Sequence, residues 1–125
     1  MASRDDLDRY LARLEPDTQL LTSAIVEGEI RFGLGRLPSG RRQQQLSDAF
    51  ERILDTLHGI LPVTREMASH YATLKVDLWK RGQPIGDNDI WIAATALTHG
   101  LTVLTSDADF QEFSNLHVND WSSAQ

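Results

Sequence analysis

Three carboxylates, distant from one another along the chain, are the residues whose chemistry is most informative. Glu29 lies within a predicted helix, Asp89 begins another helix, and Asp107 follows a predicted strand by two residues. In a parallel α/β sheet, the first turns of helices and the carboxyl ends of strands lie at the same edge, where ligands bind. We therefore expect the three side chains to meet in one pocket.

Two of these acids interrupt apolar helix faces. Asp89 shares a face with residues 92, 93 and 96, which follow it at spacings of three, four and seven. Glu29 lies in the same way between Ile25 and Phe32. An unpaired charge on a buried face is costly. The pattern therefore indicates that these acids have a partner.

A divalent metal ion is the partner that these residues favour. Carboxylates that meet without a cation repel each other, and Arg31, the cation nearest to Glu29, is predicted to point elsewhere on its helix. The chain has no cysteine, and its four histidines lack ligand spacing. An all-oxygen site suits Mg²⁺ or Mn²⁺ better than zinc. Such an ion can activate water for attack on a phosphodiester.

Each acid taken alone has a simpler interpretation. The charge of Asp89 could do no more than complement its helix dipole. Asp107 could be an ordinary turn residue, and Glu29 could form a salt bridge at the edge of the core. Of the neighbouring acids, Asp87 is predicted to be the N-cap of its helix and Asp109 to be solvated. The coincidence of three acids at one sheet edge favours the metal site.

Length and composition are those of an ordinary globular protein. The 125 residues fit a single domain over 1–125, with 41% hydrophobic and 24% charged residues. No apolar run is long enough to span a membrane, and the charged N-terminus does not resemble a secretory signal, so a cytoplasmic protein is expected. The net charge of −6 argues against a broad basic surface for nucleic acid, but it leaves room for a nuclease with acidic metal ligands.

Helical and strand patterns alternate along the chain. The apolar spacing predicts helices at 5–14, 24–37, 43–57, 65–81 and 89–99, strands at 20–22, 60–63, 101–105 and 116–118, and a helical turn at 107–113. Thr64 is the predicted N-cap of the fourth helix, and Gly82 ends it. This order predicts an α/β fold with a parallel sheet flanked by helices on both faces.

Three segments carry a family resemblance. The stretches "LLTSAIVEGEIRFGLGRL", "GQPIGDNDIWIAATALTHGLTVLTSDADF" and "LHVNDW" resemble PIN-domain proteins of the VapC and FitB type, the toxins of bacterial toxin–antitoxin pairs. The resemblance covers nearly all of the chain from about Leu7, and its motifs are specific in their order and spacing.

The resemblance implies a fold, an activity and partners. Glu29, Asp89 and Asp107 match the family's acidic ligands for Mg²⁺ or Mn²⁺, and Thr105 matches a hydroxyl residue that orients water or an acid. It further implies cleavage of RNA, a homodimer, and inhibition by a cognate antitoxin protein.

The chain departs from the family pattern at its start. The family opens with a central strand that ends in an Asp, the first metal ligand, whereas "MASRDDLDRYLARL" resembles the first helix. We therefore expect the first central strand to be missing. Three carboxylates should then bind the ion more weakly, and the neighbouring strands should be completed by a partner chain, a swapped segment or direct pairing with each other.

Three functions compete. The first is a metal-dependent endoribonuclease toxin, in which basic residues steer RNA; the candidates are Arg31, Arg36, Arg41, Arg42, Lys80 and Arg81. The second is a catalytically inactive PIN-like module that dimerises and binds an antitoxin. The third, a domain that binds a phosphorylated metabolite, ranks last because no Gly-rich phosphate loop is present.

Overall fold

The computed structural model describes residues 4–122, which form two compact units. The larger unit contains residues 4–18 and 64–122, and the smaller contains residues 19–63. The single domain over residues 1–125 stays a prediction. Among the described residues, no helix is long and apolar enough to cross a bilayer.

The smaller unit is a pair of parallel strands joined by two helices. Strand β1 pairs with β2, and Ser23 at the end of β1 caps α2 by accepting a hydrogen bond from the backbone N–H of Val26 at 3.2 Å. The elements are β1 (Leu21–Ser23), α2 (Ala24–Gly35), α3 (Arg41–Thr56) and β2 (Gly59–Leu61).

Helices α2 and α3 are joined through Arg31. Its guanidinium contacts Glu27 at 2.7 Å and Glu51 at 2.9 Å, and it lies over the ring of Phe50. Phe50 belongs to an apolar stripe on α3 and is buried, but Ile53 on the same stripe is 57% exposed. The stripe is therefore only partly covered in this unit.

The larger unit contains the remaining helices and a second parallel pair of strands. Strand β3 pairs with β4, and Val103 lies opposite Val118. The elements are α1 (Arg4–Ala12), α4 (Arg65–Arg81), α5 (Asp87–His99), β3 (Val103–Thr105), a 3-10 helix (Ala108–Glu112) and β4 (Val118–Asp120).

The core of the larger unit forms between α4 and α5. Leu74 and Leu78 of α4 pack with Ile90 and Ala93 of α5, and Phe110 of the 3-10 helix joins them. All five are at most 5% exposed. Leu74 and Leu78 therefore lie on the face of α4 that packs against α5.

Local signals fix the ends of α4 and α5. Thr64 accepts a hydrogen bond from the backbone N–H of Met67, as its predicted N-cap role requires. Gly82 and Gly100 follow the two helices with φ of 67° and 65°, a left-handed conformation that glycine adopts without strain.

The α/β class with parallel strands is confirmed. The described strands form two separate parallel pairs rather than one hydrogen-bonded sheet. The last strand, predicted at 116–118, lies instead at Val118–Asp120. The first element of the described chain is helix α1, and the missing central strand stays a prediction.

Candidate metal centre

Three aspartates of the larger unit form an acidic cluster. One carboxylate oxygen from each of Asp89, Asp107 and Asp109 lies within 4.8 Å of the other two. Asp89 comes from the first turn of α5, while Asp107 and Asp109 come from the segment after β3. The structure thus brings together two of the acids that the sequence singled out, and adds Asp109.

Short-range hydrogen bonds shape the loop that carries two of these acids. The backbone N–H of Asp107 donates to Thr105 Oγ1 at 3.0 Å, and the backbone N–H of Asp109 donates to Asp107 Oδ1 at 2.9 Å. Phe110, which is 5% exposed, anchors the other end of the turn in the core. The spacing between the two carboxylates is therefore set by the local sequence.

Asp89 is held on a rigid helix. It is partly buried, and its neighbours Ile90 and Ala93 are 2% and 0% exposed. Its position in the first turn also lets the helix dipole favour its negative charge. A half-buried carboxylate on a packed helix has little freedom to move away from its neighbours.

The start of α5 differs from the sequence expectation. Asp87 was predicted to be the N-cap, but Gly86 occupies that position and Asp87 is the first helical residue. The Asp87 carboxylate accepts hydrogen bonds from Tyr71 Oη at 2.8 Å and Lys75 Nζ at 2.9 Å. Hydrogen bonds from Lys75 and then Tyr71 lower the pKa of Asp87. The Asp87 carboxylate therefore points to α4, where Tyr71 and Lys75 bind it.

Glu29 belongs to the smaller unit. It is exposed on α2 of the smaller unit, and no described residue of that helix is fully buried. Its apolar neighbour Phe32 is 66% exposed, whereas Ile25 and Val26 on the same face are partly buried. Glu29 therefore interrupts a stripe that is only partly covered. The role of Glu29 as a ligand stays a prediction.

Asp109 is the residue of this cluster that sequence reasoning missed. It was expected to be solvated, and it is indeed exposed, but its carboxylate faces the other two acids. The signal was present in "TSDADF", where two aspartates at a spacing of two flank a turn that Thr105 starts. A turn brings such a pair to the same side, whereas a helix would separate them.

The cluster has the chemistry that a hard divalent cation requires. It offers only carboxylate oxygens, and two of the three acids are exposed enough to leave room for water and a substrate oxygen. Mg²⁺ commonly binds through one or two carboxylates while it keeps several waters, and a third acid can contact it directly or through a water. The residues therefore fit a divalent ion of this class.

Comparisons with known proteins agree with this fold. The PIN-domain family matches residues 1–116. The VapC ribonuclease Y4jK of Sinorhizobium fredii is 37% identical over 108 residues, which is 84% of this chain and 77% of that protein.

Two solved structures are also similar. FitAcB from Neisseria gonorrhoeae is 30% identical with a TM-score of 0.82, covering 97% of this chain and 88% of that one. VapBC-5 from Mycobacterium tuberculosis, of the VapBC family of toxin–antitoxin systems, is 29% identical with a TM-score of 0.67. The match covers 79% of this chain and 78% of that one. The chain therefore belongs to the PIN-domain family, among its members of the VapC and FitB type.

Proposed function

We propose that this chain is a Mg²⁺- or Mn²⁺-dependent endoribonuclease that acts as the toxin of a type II toxin–antitoxin pair. The observation that carries the proposal is the convergence of Asp89, Asp107 and Asp109 within 4.8 Å. The 37% identity to a protein named VapC ribonuclease supports RNA as the substrate.

The acidic cluster supplies the ligands in this proposal. Asp89, Asp107 and Asp109 would hold the ion, and Glu29 is a further predicted ligand from the sequence. The chemistry that such an ion would supply is a lower pKa for a bound water and stabilisation of the leaving oxygen of the phosphodiester. An all-carboxylate donor set favours Mg²⁺ or Mn²⁺ over softer metals.

The chain's own residues position these ligands. Thr105 accepts the backbone hydrogen bond that orients Asp107, and this is the role proposed for it in catalysis. Asp107 and Asp109 are exposed, so a phosphodiester of an RNA strand can approach them from solvent. Because these carboxylates are already positioned, they would hold a cation where it can stabilise the negative charge that develops at the phosphate.

Some of the basic residues predicted to steer RNA have other partners. Arg81 contacts Asp77 at 3.0 Å and Arg31 contacts Glu27, so their charge is largely compensated. Arg41 and Arg42, at the exposed start of α3, are better candidates for the phosphate backbone.

The proposed partners follow from the relatives. VapBC-5 is a member of a family of toxin–antitoxin systems, and we propose that this chain is likewise held inactive by a cognate antitoxin. We also propose that it forms a homodimer in the cytoplasm, as the family resemblance implies. The amount of antitoxin bound per chain can be measured directly by light scattering of the purified complex.

An RNase assay tests the proposal. We expect a labelled RNA to be cleaved with Mg²⁺ or Mn²⁺ and to stay intact with EDTA. Asp89→Asn should lower the rate by roughly 100-fold or more, since metal binding contributes several kcal/mol to the transition state. Asp55→Asn, at an exposed position of α3, is the matched control, because it makes the same change outside the cluster. Equal cleavage by parent and Asp89→Asn would contradict the assignment.

The second candidate is a PIN-like module that binds an antitoxin without cleaving RNA. It is left open by the exposure of Asp107 and Asp109, because exposed carboxylates are stable in solvent without a bound ion. Tight antitoxin association together with an RNA that stays intact in Mg²⁺ and Mn²⁺ would select this function. Cleavage at the rate of other family members would exclude it.

A further inference from the structure

Four side chains join α4 to the start of α5, and we call this set the α5 clamp. Asp87 accepts hydrogen bonds from Tyr71 Oη at 2.8 Å and Lys75 Nζ at 2.9 Å, and Lys75 Nζ also donates to Tyr71 Oη at 3.0 Å. The ring of Tyr71 stacks on Trp91, with centroids 4.1 Å apart and planes 17° apart.

We propose that Tyr71 and Lys75 are positioning residues, which hold the first turn of α5, and with it Asp89, in the orientation that ion binding requires. This inference rests on the proposed metal-dependent function. Neither residue belongs to the acidic cluster of Asp89, Asp107 and Asp109. Their effect would act through the helix that they hold.

The first turn of α5 needs such a support. Its N-cap is Gly86, which has no side chain to bind the first backbone N–H groups, and no side-chain capping bond is present there. A helix start of this kind frays more readily than one with a Ser, Thr or Asp cap. The bonds from Tyr71 and Lys75 to Asp87 replace the missing cap with a connection to α4.

The clamp also fixes the rotation of α5. Asp87 and Trp91 are four residues apart and lie on one face of the helix, the face that meets Tyr71. Asp89 is two residues from Asp87 and therefore points about 200° away around the axis. Because contacts at Asp87 and Trp91 hold one face of α5 at two successive turns, they determine where the Asp89 carboxylate lies on the opposite face.

Small rotations matter at a metal site. A carboxylate about 5 Å from the helix axis moves by roughly 2 Å when the helix turns by about 20°. That displacement is as long as a whole Mg–O bond of about 2.1 Å. Loss of the clamp should therefore weaken ion binding even if the fold survives.

The direction in which the affinity for the cation changes when Lys75 is replaced distinguishes positioning from long-range electrostatics. Lys75 is a cation in the same unit as the acidic cluster, so removing its charge should tighten cation binding if only long-range Coulomb forces act. Positioning predicts the opposite result. Tyr71→Phe removes one hydrogen bond without any change of charge and retains the ring that stacks on Trp91.

The experiment is a Mn²⁺ titration of the full chain, followed by electron paramagnetic resonance of the free ion. Tyr71→Phe and Lys75→Met should each raise the Kd, and the double variant should raise it roughly tenfold, the lower range for residues that support metal ligands. Lys75→Arg should recover most of the affinity. Lys80→Met removes the same charge from the last turn of α4 and should leave the Kd unchanged.

The outcomes are distinct. Weaker Mn²⁺ binding by the clamp variants, with Lys80→Met like the parent, supports the inference. Equal or tighter binding by the clamp variants overturns it and leaves the proposed function standing, even if their melting temperatures fall. A parent chain that does not bind Mn²⁺ overturns the proposed function itself. Circular dichroism verifies that each variant is folded.

Discussion

At the scale of single residues, Asp109 is the most informative position of the acidic cluster. Its carboxylate faces Asp89 and Asp107, and like charges at this distance repel. In the parent, saturation with Mn²⁺ at about 100 times its Kd should add about 2.7 kcal/mol, or roughly 10 °C in melting temperature. Asp109→Asn should leave the metal-free melting temperature equal or slightly higher, and should reduce the Mn²⁺ shift.

Thermal unfolding with and without Mn²⁺ measures both quantities. Asp89→Asn should abolish the shift, because it removes the most buried of the three ligands. Glu66→Gln, at the start of α4, is a control that should keep the full shift. A parent without any Mn²⁺ shift would contradict a metal site in this cluster.

Thr105 carries a second residue-scale prediction. Its Oγ1 accepts the backbone hydrogen bond of Asp107 at 3.0 Å, so Thr105→Val should cost about 1 kcal/mol of unfolding free energy. It should also lower RNA cleavage, because the Asp107 carboxylate loses its fixed backbone. Thr105→Ser keeps the hydroxyl and should retain both properties. A loss in Thr105→Ser, with Thr105→Val like the parent, would show that the methyl group and not the hydroxyl matters.

The sequence predicted this site only in part, for physical reasons. Asp89 and Asp107 were identified because the edge of a parallel α/β fold gathers helix starts and strand ends. Asp109 was not identified as a ligand, because the direction of its carboxylate depends on the turn that Thr105 and Asp107 form. Glu29 was judged from the apolar residues around it, yet burial of a helix face depends on what packs against it, which a periodic pattern does not contain.

At the scale of elements, the two ends of α5 predict opposite effects of the same substitution. Gly86 has φ of −64° and ψ of 149°, which suit a serine N-cap, whereas Gly100 has φ of 65°. An added Cβ meets nothing within 4 Å at either site, so conformation alone decides. Gly86→Ser should stabilise by about 0.5–1 kcal/mol, and Gly100→Ser should destabilise by about 1–2 kcal/mol.

Urea unfolding of the two variants beside the parent checks this pair. Each variant is the control for the other, since the residue type is identical and only the backbone differs. A decrease in stability at both ends would mean that Gly86 is constrained by something other than its backbone angles.

Helix boundaries were easier to predict than strands for a reason visible in α4. Thr64 is a local start signal and Gly82 a local stop signal, and they bound the helix at Arg65–Arg81 as expected. Each strand has only three residues, and its limits depend on a partner far along the chain. Residues 116–118 are apolar enough for a strand, but pairing with β3 selects Val118–Asp120.

At the scale of the whole molecule, the two compact units allow the ion's ligands to be assigned without any substitution. A bound ligand slows amide hydrogen exchange only where opening would release it, by a factor close to 1 + [L]/Kd. At about 100 times the Kd of Mn²⁺, exchange in the affected segments should slow by roughly 100-fold. We expect this protection in the first turn of α5 and in the segment 105–112, which hold Asp89, Asp107 and Asp109.

The smaller unit then reports on Glu29. Its helix α2 (Ala24–Gly35) contains none of the three clustered aspartates, so slower exchange there in Mn²⁺ would support Glu29 as a fourth ligand. Unchanged exchange in α2, with protection in the larger unit, would limit the ligands to Asp89, Asp107 and Asp109. The same comparison in Ca²⁺ is the control, because a larger ion with looser geometry should protect less if the site is shaped for Mg²⁺ or Mn²⁺. If neither Mn²⁺ nor Ca²⁺ changes amide exchange in any segment, the result would contradict a metal centre in this chain.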